Sequence, residues 1–565
     1  MAIVNSSKTN GETARMNSKE RTVEPPIVIR AKQPSPDGKQ RPVAWEDDIS
    51  MNALDDRPFE NLPSPIDLSR DTFQDGLYQT LTEMLETDSL DQWLKRDIFP
   101  VTRSRRWLCC SQNNVSANII FWETKCLIIW YHSSFQASYR QNRFMTVKQK
   151  FSITRTEISG HNIFDLASKF GTPTYVYEAE TIRQRIEQLK QFDVIRFAQK
   201  ANSNIAVLNL MRENGVVVDA VSSGEVFRAK AAGFDLTGSP HPVVYTADIF
   251  DREALELVVN ENIPVNCGSA DMIAQLGKLA PGREITLRIN PGFGHGHSNK
   301  TNTGGQSSKH GIWHDQLDEC VDLAKEHGLI VAGLHMHIGS GTDFEHLSQV
   351  CDAMKQTALS VGSTIHTISA GGGLPTPYRD SDQPLDIDRY FKLWDATRKE
   401  LESEFGHKVS LEIEPGRFLV AECGYLISEI RAIKTMGENL FYLVDAGFNN
   451  LARPILYGAY HPMSVAFANE STEETQDVIV GGPLCESGDI FTQEEGGFVC
   501  SRELPKASVG DVLVIECAGA YGFVMSSNYN SKPIAAEVLI DGGKAHLVRK
   551  RQTPEDIIAG ESIPS

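Results

Sequence analysis

Residues 194–230 read VIRFAQKANSNIAVLNLMRENGVVVDAVSSGEVFRAK. The β-branched runs at 194–198 and 216–221 predict buried strands, and the stretch 203–214 between them has the apolar spacing of an amphipathic helix. Two strands joined through a helix imply a parallel pair, because the connection must carry the chain back across the sheet. This strand–helix–strand unit therefore predicts a parallel α/β fold.

The same unit recurs along the chain. Further strands are predicted at 243–246, 264–267, 285–289, 330–335, 366–369 and 410–413, and further helices at 223–232, 251–262, 269–279, 314–327, 343–361 and 386–405. Eight such repeats close most naturally into a (β/α)8 TIM-like barrel, with an open doubly wound sheet as the alternative.

Beyond about residue 425 the pattern changes. Short apolar runs at 441–445, 475–480, 511–516, 536–540 and 545–549 alternate with Gly-rich turns, without long helical patterns between them. This predicts a C-terminal all-β, Greek-key-like domain. The expected organisation is a non-family extension over 1–144, a segment over 145–175 that joins the β-domain, a barrel over 176–425, and the β-domain over 426–565.

The composition excludes several classes of function. The 565 residues carry a formal net charge of −19, which argues against nucleic acid as a partner. The longest apolar stretch, 117–131, is interrupted by Glu123 and Lys125 and is too short to span a bilayer. The 10 Cys include no CxxC pair, and the N-terminus lacks a secretory signal, so we expect a reducing, cytoplasmic location.

The first 144 residues differ from the rest. Residues 1 to about 70 are rich in Pro, Ser and Asn and are expected to lack order, and 74–96 could form one helix. A basic segment, 103–144, follows. A small extra domain and a partner-binding tail are both compatible with this region.

Polar residues cluster where the predicted strands end, which is where barrels of this kind place their chemistry. Gly371, Gly372 and Gly373 would let backbone N–H groups approach an anion, and Arg417 could add a bidentate contact. Lys200 follows an apolar strand, so we expect partial desolvation that lowers its pKa and favours Schiff-base chemistry. These features together predict a site for a phosphorylated, ring-bearing cofactor.

Two histidines near the sixth strand need separate treatment. His335 and His337 are two residues apart and so share one face of a strand. Without a third ligand at suitable spacing, no metal is expected. One of the two rings is expected to stack on the cofactor, and the other to be a buried structural histidine.

Seven motifs occur in a fixed order: FAQKANSN, HMHIGSG, AGGGLP, EIEPGRF, VDAGFNNLARPILYGAYH, GPLCESGD and AGAYGFVMSSNYNSKP. Residues from about 150 to 555 thereby resemble the alanine-racemase-fold decarboxylases that use pyridoxal 5'-phosphate, and within them the diaminopimelate decarboxylase family. The stretch 290–313 is also similar to that family's mobile active-site loop.

The resemblance implies decarboxylation of meso-2,6-diaminopimelate to L-lysine and CO₂, the last step of lysine biosynthesis, by a homodimer with shared active sites. It makes Lys200 the Schiff-base lysine and Cys485, from the neighbouring subunit, the proton donor. His337 would stack on the pyridine ring, and Glu414 would bond its nitrogen. The cofactor-binding set implied is Lys200, Asp219, His337, Ser340, Gly371, Gly372, Gly373, Glu414, Pro415, Gly416, Arg417 and Tyr521. The substrate-binding set implied is Arg417, Arg453, Tyr457, Glu486 and Tyr521.

Some features depart from the family pattern. FAQK replaces the commoner YAxK but keeps the lysine, and His295 and His297 have no assigned role. The first 144 residues have no counterpart, and Met145 opens a stretch that resembles a family N-terminus. This leaves a start called too early or a poorly ordered tail as interpretations.

Rival functions remain within and beyond this class. Decarboxylases of ornithine, arginine or carboxynorspermidine act on substrates without a distal amino-carboxylate, so Arg453 and Glu486 together favour diaminopimelate. A racemase would need a second base, typically Tyr, instead of the CES motif. Cofactor carriers of this fold lack the β-domain, and pseudoenzymes lose the lysine or the acid.

Overall fold

The computed structural model describes residues 151–295, 302–340 and 342–564, and the backbone of four strands near the N-terminus. The chain divides into two compact units, Met1–Lys148 and Gln149–Ser565. The helix expected at 74–96 lies outside the described residues, and so does the region before it in which disorder is expected, apart from Val28–Ile29.

The N-terminal unit contains a four-stranded sheet. Arg106–Gln112 pairs in parallel with Val28–Ile29 and antiparallel with Val115–Trp122, which pairs in turn with Lys125–His132. Part of the basic segment therefore forms antiparallel strands.

The second unit contains the longer elements. Its strands are β1 (Thr174–Glu178), β2 (Val194–Ala198), β3 (Val217–Ala220), β4 (Val243–Ala247), β5 (Val265–Cys267), β6 (Glu284–Asn290), β7 (Ile330–His335), β8 (Thr367–Ser369), β9 (Ser410–Ile413), β10 (Gly424–Met436), β11 (Asn439–Val444), β12 (Met463–Ala466), β13 (Thr475–Gly481), β14 (Arg502–Pro505), β15 (Val512–Ile515), β16 (Ala536–Asp541) and β17 (Lys544–Arg549). Two-residue strands occur at Glu157–Ile158, His161–Asn162, Ile312–Trp313, Gln493–Glu494 and Phe498–Val499.

Its helices are α1 (Ile163–Phe170), α2 (Ala179–Glu187), α3 (Ile205–Glu213), α4 (Ser223–Ala231), α5 (Arg252–Asn260), α6 (Ala270–Leu279), α7 (Leu317–Glu326), α8 (Phe344–Val361), α9 (Ile387–Phe405), α10 (Arg417–Val420), α11 (Arg453–Tyr457) and α12 (Pro554–Ile557). None of the described helices is both long and apolar enough to cross a membrane.

Strands β2 to β9 form a closed parallel barrel. Their order is β5-β4-β3-β2-β9-β8-β7-β6, and a pairing of β5 with β6 closes the ring. The (β/α)8 barrel is therefore confirmed, and the open doubly wound sheet is wrong. Phe197, Val218 and Leu287 are each fully buried, on the strand faces opposite to those that carry the cavity-lining Ala198, Asp219 and Arg288.

The barrel helices begin and end at residues suited to those positions. Asp386 accepts a hydrogen bond from the backbone N–H of Arg389 at the start of α9, and Gly406 ends that helix in the left-handed region with φ 76°. Trp394 and Tyr390 on α9 are fully buried, so one face of the helix anchors it to the core.

A second, nine-stranded sheet accounts for the predicted β-rich region. Its path is β14-β13-β11-β10-β1-β16-β17, and β15 pairs with both β10 and β12. The sequence analysis predicts no strand over 424–436, yet β10 runs for 13 residues at the centre of this sheet. β1 precedes the barrel in the chain but pairs with β10 and β16, so this sheet uses both ends of the unit.

Candidate active site

A cavity opens at the carboxyl ends of the barrel strands. Ten residues of the predicted site line it: Lys200, Asp219, His337, Ser340, Gly372, Gly373, Glu414, Gly416, Arg417 and Tyr521. Its lining also includes Thr246, Arg288 and His335, to which the sequence analysis assigned no cofactor role. Closure of the barrel brings these separate strand ends together.

The glycine run after β8 makes one wall of the cavity. Gly371 and Gly373 have φ of +60° and +93°, a conformation that side chains other than glycine's rarely adopt. A Cβ on Gly372 would lie 2.5 Å from the carbonyl oxygen of Glu414. The backbone here is packed too closely for any side chain, and it forms a cradle suited to a phosphate beside Ser340 and Arg417.

Glu414, which follows β9, is a buried and fully bonded carboxylate. Its Oε2 accepts a hydrogen bond from Nε2 of His335 at 2.7 Å, and its Oε1 accepts from Ser369 Oγ at 3.1 Å and Asn266 Nδ2 at 3.3 Å. Burial raises its pKa, but His335 and the nearby arginines outweigh this and hold the pKa at about 2. Glu414 is thus a permanent negative charge in the cavity floor, able to keep a proton on a ring nitrogen.

His335 proves to be more than a structural histidine. It is 1% exposed, and because its partner is an ionised carboxylate, Nε2 must be the protonated donor. Asn266 Nδ2 also donates to Thr246 Oγ1 at 2.8 Å. These neighbours of Glu414 come from different strands, and sequence reasoning offered no signal for their grouping.

Asp219 is the second buried carboxylate of the cavity. It is 4% exposed, and its Oδ1 lacks a hydrogen-bond partner among the described residues. Burial, and then the charge of Glu414, raise its pKa to about 6. Lys200 opposes that shift, which places the ammonium group within electrostatic reach of this carboxylate.

Lys200 lies on a short turn, Gln199–Ala201, directly after β2. The expected partial desolvation is wrong for this structure, because Lys200 is exposed at the cavity mouth. The backbone N–H of Tyr521 donates to the carbonyl of Ala201 at 2.8 Å, with Tyr521 in the left-handed region at φ 55°. A strained residue that follows β15 is therefore tied to the lysine turn.

His337 lines the cavity. It is half-buried, and its Nδ1 is buried without a partner in the described part of the chain. Burial, and then the charge of Lys200, lower its pKa well below the usual value for histidine. The imidazole is therefore neutral, a state compatible with stacking on a cofactor ring.

Two buried arginines, Arg417 in the cavity lining and Arg453 outside it, both contact the ring of Tyr378. Arg417 Nη1 donates to the hydroxyl of Tyr378 at 3.0 Å, and Arg453 Nη1 donates to His461 Nε2 at 2.8 Å. Among the described residues, neither guanidinium forms an ion pair with a carboxylate. Tyr457 is close enough to Arg417 to contribute to the raised pKa of that arginine. This arrangement suits an incoming carboxylate, and the sequence analysis missed Tyr378 and His461.

The residues predicted to donate the proton and to bind the distal ammonium group of the substrate are not part of the cavity. Cys485 and Glu486 are exposed and do not line the cavity. Their loop is ordered by two contacts, from the backbone N–H of Cys485 to Asn530 Oδ1 and from that of Leu484 to Asp489 Oδ2, both at 2.8 Å. One chain alone does not bring this loop to Lys200.

Two other predicted residues outside the lining, Pro415 and Gly371, support it through their backbone carbonyls. The Pro415 carbonyl accepts from the backbone N–H of Ala198 at 3.2 Å, and the Gly371 carbonyl accepts from that of Glu414 at 2.7 Å. These bonds join the ends of β2, β8 and β9.

His295 lies in a cluster with Asp343 and His346, the one group of three potential metal ligands within the described residues. Asp343 caps α8 by accepting from the backbone N–H of His346 at 2.9 Å, and it also contacts Nδ1 of that histidine at 2.8 Å. These hydrogen bonds account for the cluster as a helix cap. His297 lies outside the described residues.

Comparison with known proteins adds independent information. The model of the pyridoxal-dependent decarboxylase, pyridoxal binding domain, matches residues 178–421. Diaminopimelate decarboxylase of Escherichia coli K12 is 53% identical over 413 residues, which cover 73% of this chain and 98% of that protein. The Streptomyces coelicolor enzyme of the same name is 54% identical over 409 residues, covering 72% and 93%.

Solved structures agree with the sequence matches. A crystal structure of diaminopimelate decarboxylase is 53% identical, with a TM-score of 0.69 over 70% of this chain and 95% of that one. The Helicobacter pylori enzyme complexed with L-lysine is 29% identical, with a TM-score of 0.64 over 70% and 98%.

Proposed function

The chain belongs to the diaminopimelate decarboxylase family, and from that membership we propose that it decarboxylates meso-2,6-diaminopimelate to L-lysine and CO₂ with pyridoxal 5'-phosphate as cofactor. One observation carries the substrate assignment: Arg417, which lines the cavity, and Arg453, which shares the Tyr378 ring with it, are both buried without a carboxylate partner in the described chain. A substrate with a second, distal carboxylate would complete that site.

The cavity fits the cofactor on features of its own. The glycine run leaves room for a phosphate, His337 offers a neutral ring, and Glu414 offers an ionised carboxylate. Ser340, Gly373, Arg417 and Tyr521 would hold the phosphate, and Lys200 would hold the carbonyl carbon. Pyridoxal phosphate, when bound, supplies an electron sink for the electron pair left at Cα when CO₂ departs.

The residues of the chain have distinct parts in this reaction. Glu414 keeps the proton on the ring nitrogen, because its pKa of about 2 leaves it ionised at any working pH. His337 orients the ring plane, and Asp219 sets the local charge beside Lys200. Arg417, Arg453 and Tyr457 bind the distal carboxylate. This orients the substrate and so determines which of its two carboxylates is lost.

We further propose that Cys485 delivers the proton to Cα from a neighbouring subunit. Glu486 of the same loop would bind the distal ammonium group of the substrate. A thiol can act as a general acid if it reaches the reacting carbon. Cys485 is exposed on an ordered loop away from the cavity of its own chain, which favours a twofold homodimer with shared sites. A cytoplasmic location is part of the same proposal.

The activity is tested with purified protein, pyridoxal phosphate and meso-diaminopimelate. Release of CO₂ with formation of lysine is expected. If ornithine or arginine reacts and diaminopimelate does not, the substrate assignment is wrong.

The shared site is tested by mixing inactive variants. Lys200→Ala and Cys485→Ala are expected to be nearly inactive alone. Random reassortment of the two should restore about a quarter of the wild-type activity, because half of the dimers then carry one intact site of two. An inactive mixture, with reassortment verified by mass spectrometry of the dimers, contradicts a site built from two chains.

A further inference from the structure

His461 contacts one of the two substrate-facing arginines in a defined protonation state. A guanidinium only donates hydrogen bonds, so His461 Nε2 must accept from Arg453 Nη1 across their 2.8 Å separation. The ring proton then resides on Nδ1, which donates to the Glu516 carbonyl at 3.0 Å. His461 is 0% exposed, and the two bonds together require the neutral ring in a single tautomer.

The surroundings of His461 hold it in this orientation. Arg502 Nη1 donates to the His461 carbonyl at 3.1 Å. The side chain of Glu516 accepts from Arg155 Nε at 3.1 Å and from Ser464 Oγ at 2.9 Å. The carbonyl that accepts the hydrogen bond from Nδ1–H therefore belongs to a residue whose side chain is itself held in place.

Tyr378 holds the same pair of arginines from the other side. Its hydroxyl accepts from Arg417 at 3.0 Å, and its ring lies 4.8 Å from the Arg453 guanidinium. His461 meets that ring edge-on, at 5.5 Å between centroids and 79° between planes. Both guanidiniums are thus fixed by neutral partners.

The neutral charge of the His461 ring matters for substrate binding by Arg453. A carboxylate in the place of His461 would hold Arg453 equally well but would satisfy its charge. An imidazole lone pair orients the guanidinium and leaves its charge available. The second carboxylate of a substrate then finds a positive group that is already in place.

We propose that His461 is a positioning residue for the distal-carboxylate subsite, which holds Arg453 through a neutral acceptor and so selects substrates that carry a second carboxylate. This inference rests on the proposed function for the identity of the substrate, and it adds a residue outside the sets that contact cofactor or substrate.

The test compares two substitutions at His461 in the holoenzyme. His461→Gln keeps an acceptor near the position of Nε2, whereas His461→Phe keeps the ring and removes the acceptor. His461→Phe should raise the KM for meso-diaminopimelate at least about tenfold with a smaller change in kcat, and His461→Gln should recover most of that loss. His241→Phe is a matched control, because His241 is a half-buried histidine bonded to the Val243 carbonyl at the opposite end of the barrel.

A second measurement, ligand binding by isothermal titration calorimetry, does not depend on turnover. Binding of L-lysine, which keeps the distal carboxylate, should weaken in His461→Phe by a factor similar to the rise in KM. Binding of 1,5-diaminopentane, which lacks it, should not change. Thermal unfolding and cofactor absorbance establish that each variant is folded and loaded.

The outcomes separate the two proposals. Wild-type protein that does not decarboxylate diaminopimelate overturns the proposed function. An active wild type with His461→Phe unchanged in KM overturns the role of His461. Equal weakening of L-lysine and 1,5-diaminopentane also overturns it, because the effect would then not concern the carboxylate.

Discussion

Replacement of Asp219 by asparagine is expected to stabilise the cofactor-free chain at neutral pH, although it removes a residue of the active site. Asp219 is 4% exposed, and burial together with the charge of Glu414 raises its pKa from 3.8 to about 6. An ionised carboxylate with that pKa destabilises the folded state by about 3 kcal/mol. Asparagine has nearly the same shape and carries no charge, so it removes this cost.

The sign of the effect follows from proton linkage. The folded chain binds the Asp219 proton more tightly than the unfolded chain does, so this group contributes less to stability as pH rises from 3.8 to about 6. The full cost applies above pH 6. Below pH 4 the carboxyl is protonated in both states, and the substitution should have no effect there. The difference between variant and wild type must therefore grow with pH through this window.

Thermal unfolding of the cofactor-free proteins between pH 4 and pH 8 measures this difference. For a chain of this size, 3 kcal/mol corresponds to roughly 3–6 °C in Tm at pH 7.5. Asp477→Asn, at an exposed residue of β13, should show no such shift. Holoenzyme turnover is expected to fall in Asp219→Asn, because the carboxylate next to Lys200 is lost. A variant that is equal to or less stable than wild type at pH 7.5 refutes the reasoning.

Further substitutions test single groups of the site. Glu414→Gln should lower kcat by at least about a hundredfold while the cofactor still binds, and near-normal kcat in steady-state kinetics contradicts a role for its charge. Gly372→Ala should weaken cofactor binding at least about tenfold in fluorescence titration, since its Cβ would lie 2.5 Å from a carbonyl oxygen; unchanged affinity would mean that the turn can yield. Lys200→Ala should remove the absorbance of lysine-bound cofactor, and a persistent band would assign another lysine. Cys485→Ala should retain the cofactor but slow turnover by about 10²–10⁴, and a normal rate would exclude the thiol as acid.

The barrel could be predicted because its signals are local. Each strand is a short apolar run bounded by polar or turn residues, and the predictions at 194–198, 330–335 and 410–413 coincide with β2, β7 and β9. Repetition of the unit then favours closure. Burial of both faces of each strand makes these runs mostly apolar, apart from the ion-paired Arg196 in β2 and Glu412 in β9, and a sequence displays this directly.

The second sheet could be predicted only in part, because its central pairing is remote in sequence. Tyr175 of β1 lies opposite Leu426 of β10, and Thr174 lies opposite Ala536 of β16. The second half of β10 is exposed and carries polar and charged side chains, so its apolar pattern fades before the strand ends. Periodicity shows which residues alternate, but it holds no information about which strand is the partner.

The site residues also fall into those that local sequence signals predict and those that depend on remote contacts. Residues at strand ends, such as Lys200 and Glu414, were predictable because barrel closure places all strand ends together. Residues that act through another side chain could not be predicted in this way. The examples are His335, Tyr378 and His461. Each is defined by a contact with a residue that is distant in sequence, and a histidine or tyrosine alone does not reveal that contact.

The distribution of thiols links the chemistry to the assembly. None of the described cysteines lines the cavity, and burial raises the pKa of the thiols of Cys267, Cys351 and Cys423, which makes them poor partners in proton exchange. Of the described cysteines, Cys485 alone is exposed. No thiol of the described residues reaches the cavity beside Lys200, which is the ground for proposing that a neighbouring subunit supplies the acid. The proposal that Cys485 is the acid and the proposal that the protein acts as a homodimer therefore depend on each other. An active monomer would contradict both.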